Sequence, residues 1–217
     1  MFVQATTKQS QENKILLKLI RNIADTQPQL IEGFDEDIIK ASINNARNMD
    51  ALCDIFAVAS RAKMTNQRAI FFTSKSEFVS LLIQILSNRS ARPQLHLECV
   101  MLITSVLLFK EPAKIVLAAK VVDKIVNVFR WYTDDIDIQI QCMFNFYRLI
   151  IHSDSRVELL KNDDVIDMII KYSASRNAVM NSIANTILEA LEIFDKKTAQ
   201  KIKFPRFEAF NEEWLQY

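Results

Sequence analysis

One glycine, Gly33, serves all 217 residues of this chain. Tight hairpins and the connections of parallel sheets draw on glycine for backbone with positive φ, and phosphate-cradling loops set two or three glycines together. A chain this poor in glycine makes neither. What remains is an all-helical protein without a nucleotide site of the glycine-rich kind.

The prolines agree. Proline suits the first turn of a helix and is poorly tolerated inside one. Pro28, Pro93, Pro112 and Pro205 each stand before an apolar run of helical period, and each is read as a helix start. One stretch points the other way, because DIDIQIQC at 135–142 alternates as a strand does. Its apolar positions continue, however, as Ile136, Ile140, Phe144, Tyr147 and Ile151 at helical spacing, and Asp134 or Asp135 is placed to cap the start. Helix prevails.

The helices recur as triplets of a short, a medium and a long member. One triplet occupies 112–153, the next 155–195, the preceding one 66–110, and an earlier one 28–63. Aligning the long third helices stacks Cys53, Cys99, Cys142 and Ala184, at separations of 46, 43 and 42 residues. That is the period of armadillo or HEAT repeats, and the short first helix favours armadillo. The expected fold is an armadillo-type α-solenoid of three-helix repeats. It comprises a flexible N-terminus (1–10), a partial repeat (11–27), repeats at 28–65, 66–111, 112–154 and 155–195, and a basic, aromatic capping segment (196–217). Residues 11–26 read as a third helix lacking its first and second, so the chain is expected to be the C-terminal part of a longer array, or to cover that face with a partner.

The 27 basic and 26 acidic residues cancel, whereas a chain that neutralises phosphates carries a basic excess, so nucleic acid is not an expected partner. The start, MFVQATTKQSQENK, has no secretory pattern. The most apolar stretch, CVMLITSVLLF at 99–109, falls short of the ~20 residues of a membrane span. A soluble, intracellular protein is expected.

No catalytic constellation is present. His96 and His152 lie in no metal or acid–base motif, and there is no GxSxG or CxxC. The three cysteines are expected to act as small hydrophobes between third helices. The acidic clusters Asp35, Glu36 and Asp37, Asp134, Asp135 and Asp137, and Asp163 and Asp164 fall at helix starts, where they are expected to cap free amides and complement the dipole. Neither enzyme activity, nor a metal, nor a cofactor is expected.

What is left is surface. Groove-facing positions on the third helices are read as Asn145, Arg148, Asn181 and Asn185, the candidate partner-binding set. The Trp and Asn ladder with which importin alpha holds basic peptides is absent: its Trp positions read Ile55, Met101, Phe144 and Thr186, and its Asn positions Ala59, Ser105, Arg148 and Ala190. Lys196, Lys197, Lys201, Lys203 and Arg206 form a basic run, either helix-terminal charge on a solvated face or a docking patch for an acidic peptide or anionic surface. Beyond it Phe204, Phe207, Phe210, Trp214 and Tyr217 recur at spacings of 3, 3, 4 and 3, one face of a helix. Capping of the last repeat is the expected role of this stripe, since burial of several hundred Å² at ~25 cal/mol per Å² is worth several kcal/mol. Trp214 and Phe210 would be its anchors.

The tail IKFPRFEAFNEEWLQY, following LEALEIFDKKTAQK, resembles the C-terminus of kinesin-associated protein, the non-motor subunit of heterotrimeric kinesin. Lys203, Phe204, Arg206, Phe207, Phe210, Asn211, Trp214 and Leu215 fit the family's form KFRWHNxxWLE, with Phe207 in place of Trp. Upstream, CMFNFYRLIIHSDSRVELL at 142–160 and NKILLKLIRNIA near the start are similar to family segments. The chain departs from the family where Ser74, Ala119 and Asn162 stand in place of glycine between first and second helices. The resemblance implies a cytoplasmic, cilium-associated adaptor that binds the C-terminal tails of two kinesin motor subunits and links them to a cargo adaptor protein for intraflagellar transport. The alternatives are another armadillo scaffold or a regulatory subunit of an enzyme complex.

Overall fold

The computed structural model describes residues 11–151, 156–157, 159–194 and 199. Among these residues it holds eleven α-helices and no strand. They are α1 (Gln11–Thr26), α2 (Asp35–Asn44), α3 (Met49–Arg61), α4 (Asn66–Ser74), α5 (Ser76–Ser87), α6 (Pro93–Val106), α7 (Lys110–Ala118), α8 (Val121–Trp131), α9 (Ile136–Ile151), α10 (Asp163–Ser173) and α11 (Ala178–Phe194). A single 3-10 turn, Pro28–Ile31, stands where a short first helix is expected. Gly33 ends that turn at φ +94, a left-handed conformation that favours glycine.

Local chemistry places the helix starts. Pro93 opens α6 at its first position. The Asp135 side chain accepts from the Ile138 amide at 3.1 Å, so the alternating stretch begins a helix. Asn48 and Thr65 cap α3 and α4 in the same way. Two expectations shift. Pro112 is the third residue of α7, which starts at Lys110, still within the first turn that tolerates proline. Asp35 does not cap α2; its carboxylate accepts a 2.6 Å bond from Arg68 Nε.

The described residues fall into two compact units, divided after Trp131. In the first, helices of equal rank pack side by side: α1 on α3 and α3 on α6, then α2 on α5 and α5 on α8, then α4 on α7. Each row buries the apolar stripe of its members, with Phe56, Phe72, Phe78 and Phe129 among the largest enclosed side chains. Arg68 ties three helices together. Besides Asp35 it donates to the Ala62 carbonyl at 2.7 Å and the Ala59 carbonyl at 3.2 Å, and its guanidinium lies 5.0 Å from the Phe72 ring centre.

In the second unit α11 packs against both α9 and α10. A polar clasp joins α9 to α10, with the Tyr172 hydroxyl donating to Gln139 Oε1 at 2.9 Å and Gln139 Nε2 to the Tyr132 carbonyl at 2.9 Å. Cys53, Cys99, Cys142 and Ala184 are all buried on the third helices, as their size predicts. No single helix among the described residues is long and apolar enough to cross a membrane. The α4–α5 pair, apolar enough together, bends by 85°.

Candidate functional site

The long helices α9 and α11 lie side by side in the second unit, and small buried residues, Cys142 and Ala184, allow the approach. Beside that contact line the larger residues leave a groove of about 520 Å³. Phe144 and Tyr147 line it from α9; Ala178, Val179, Ser182, Ile183 and Thr186 line it from α11. Phe144 is 38% exposed and Val179 50%, so apolar surface stands open to solvent there. The Thr186 hydroxyl donates to the Ser182 carbonyl at 2.8 Å within its own helix. The lining is largely apolar and carries no charged side chain.

Charge sits at the edges. The Arg148 guanidinium lies 5.5 Å from the ring centre of Tyr147. Arg176 is exposed just ahead of α11, and the next residue, Asn177, caps that helix by accepting from the amides of Val179 and Met180 at 3.1 Å each.

The expected groove residues occupy neighbouring positions on the same helices. Asn145 is fully buried, donating to the Gln141 carbonyl at 3.0 Å, whereas Phe144 beside it faces the groove. Asn181 and Asn185 both donate to the Ser173 carbonyl, at 2.6 and 3.3 Å, closing the C-terminus of α10. The groove is lined instead by Ser182 and Thr186, one residue on from each. One residue turns a helix by about 100°, enough to carry a side chain from one face to the next. Only Arg148 of the four lies beside the lining. The basic run Lys197, Lys201 and Lys203 and the aromatics Phe204, Phe207, Phe210 and Trp214 lie outside the described residues, as do His152 and the N-terminal ten.

A second constellation, on the third helices of the first unit, had no expectation attached to it. Glu98 of α6 is fully buried. Its carboxylate accepts from Arg61 of α3, from Ser60 at 2.9 Å and from Gln94 at 2.7 Å. Arg21 of α1 approaches it at 3.8 Å while donating to Asp54 at 3.1 Å, and Arg61 also reaches Asp25 at 2.8 Å. Three third helices thereby share one ionic network. A lone acid inside the apolar run LHLECVMLI was the available signal.

Burial pushes the thiols of Cys53, Cys99 and Cys142 upward, away from the reactive thiolate. Among the described residues no group of three or more His, Cys, Asp or Glu is placed to hold a metal ion.

Comparison with known proteins bears on both fold and family. The sequence profile described as kinesin-associated protein (KAP) matches residues 4–217. Among solved structures, the designed armadillo repeat protein YIII(Dq)4CqI superposes with a TM-score of 0.76 at 12% identity, over 97% of this chain and 90% of that one. A designed armadillo repeat protein in complex with the peptide (KR)4 gives 0.68 at 14%, over 96% and 98%. Computationally designed armadillo repeat proteins for modular peptide recognition give 0.70 at 14%, over 95% and 89%. At such identities the likeness is one of fold, which is therefore armadillo.

Proposed function

The chain belongs to the kinesin-associated protein family, and from that premise we propose that it is a non-catalytic adaptor of heterotrimeric kinesin, holding a segment of a protein partner in the α9–α11 groove. The observation that carries this reading is the open, largely apolar groove on adjacent third helices. It is pre-formed by the packing of α9 on α11, so a disordered segment that docks there bears most of the ordering cost itself. One designed armadillo neighbour is described in complex with the peptide (KR)4 and others as made for modular peptide recognition. The partners proposed are the C-terminal tails of two kinesin motor subunits and a cargo adaptor protein, and the setting is microtubule-based transport in the cytoplasm and cilium. Arg148 at the groove and the basic run Lys197, Lys201 and Lys203 are the proposed charged contacts.

Co-expression with the paired C-terminal tails of two kinesin motor chains, followed by size-exclusion chromatography with light scattering, tests the proposal. A stable 1:1:1 complex that Val179→Asp dissociates is the expected result. A chain that elutes alone beside soluble tails would remove the motor from its partners.

A further inference from the structure

We infer that the α9–α11 groove selects an acidic protein segment bearing large apolar anchors, and discriminates against basic ones. The inference rests on the groove reading above and names the chemistry of its occupant. Two independent features support it.

The first is the lining. Phe144, Tyr147, Val179 and Ile183 offer apolar walls, and no carboxylate enters the groove. A basic peptide docked there would find no counter-charge in the lining itself. The second is the edge. Arg148 lies against Tyr147, and among the described residues it makes no ion pair. Arg176, exposed ahead of α11, makes none either. Both cations therefore keep their charge available to an incoming chain. The N-terminal end of α11 adds positive potential of its own on that side. The nearest acid on α11 is Glu189, one turn past Thr186, and it is already engaged. Asp137 stands two turns before Phe144, in the first turn of α9. An acidic segment meets the Arg148 guanidinium beside Tyr147, with exposed Arg176 two residues ahead of the lining residue Ala178; a basic one meets like charge, which raises specificity by repulsion as well as attraction.

Two fluorescein-labelled peptides of equal length test this against the full chain by fluorescence anisotropy. One alternates Glu with Trp and Leu; the other has every Glu replaced by Lys. The acidic peptide is expected to bind at least tenfold more tightly, and less so as salt is raised. Arg148→Glu with Arg176→Glu should erase or reverse that preference. Neither arginine is buried, and circular dichroism of the double variant checks that the helices persist. Equal binding of the two peptides, tighter binding of the basic one, or a preference indifferent to the charge reversal would overturn the inference. So would a concentration-dependent rise in mass that Val179→Asp removes, since the groove would then hold a second copy of the chain. The motor-tail experiment reads separately: tails that bind without an acidic preference refute this chemistry and leave the adaptor role, and the converse refutes the motor partners alone.

Discussion

Glu98 shows how much one residue can be asked to hold. Its carboxylate is fully enclosed and receives donors from Arg61, Ser60 and Gln94. Removing one member of a buried ionic group leaves the others uncompensated, which costs more than the group's net contribution. Glu98→Ala is expected to lower unfolding free energy by about 3 kcal/mol, read from urea denaturation, with Glu98→Gln costing less because it keeps the shape and part of the hydrogen bonding. His96 adds a pH dependence. Its ring is buried, lies 5.7 Å from the Trp131 ring and bonds the Ile85 carbonyl at 3.0 Å. Burial lowers its proton affinity, and the bond to Ile85 only partly opposes this. The folded value therefore lies below the usual ~6.5, so the histidine's contribution is complete above that pH and is lost as pH falls through the folded value. Urea midpoints between pH 7.5 and 5 should decline in the parent chain and decline less in His96→Leu.

At the scale of elements, the connections carry the more telling departures. Lys120, between α7 and α8, has φ 58, a left-handed backbone that costs a residue with a Cβ about 1–2 kcal/mol. Lys120→Gly is expected to raise stability by up to about 1 kcal/mol, the relieved strain being partly offset by chain entropy in the unfolded state, as a shift in thermal midpoint would show. Asn181→Ala removes the 2.6 Å bond to Ser173 at the end of α10 and should cost about 1 kcal/mol in the same measurement. Helix starts were legible because their causes are local: a proline at Pro93, an aspartate at Asp135. The groove was less so. Phe144 and Asn145 are adjacent, and whether the aromatic or the amide turns inward depends on what α11 presents to them, which no window of α9 contains. Groove-facing asparagines were expected from the phasing of the third helices alone; here the asparagines of α11 close a neighbouring helix end, and aromatic and aliphatic residues face out. Glu98 was illegible for a related reason, since Arg21 and Arg61 belong to other helices.

At the scale of the whole molecule, stacked helices owe their stability to their neighbours. In the first unit α6 packs on α3 and α5 with Leu95, Val100, Leu102 and Ile103 buried, while α1 packs on α3 and the 3-10 turn and leaves Ile15 66% and Leu19 53% exposed. Hydrogen exchange should report local opening of α1 at lower free energy than α6, and Glu98→Ala should widen the difference by releasing Arg21. The shared carboxylate also bears on how such a chain can change over generations. Arrays of like repeats usually lengthen and shorten by duplicating or deleting whole units, because each unit carries its own complement of contacts. Here the charges of α1, α3 and α6 are distributed across units that are incomplete without one another. Deleting the unit that contains α3 would take Arg61 and Ser60 with it and strand Glu98 with a single distant cation. The repeats of this stretch are therefore not interchangeable parts: each keeps its charges balanced only with the others present.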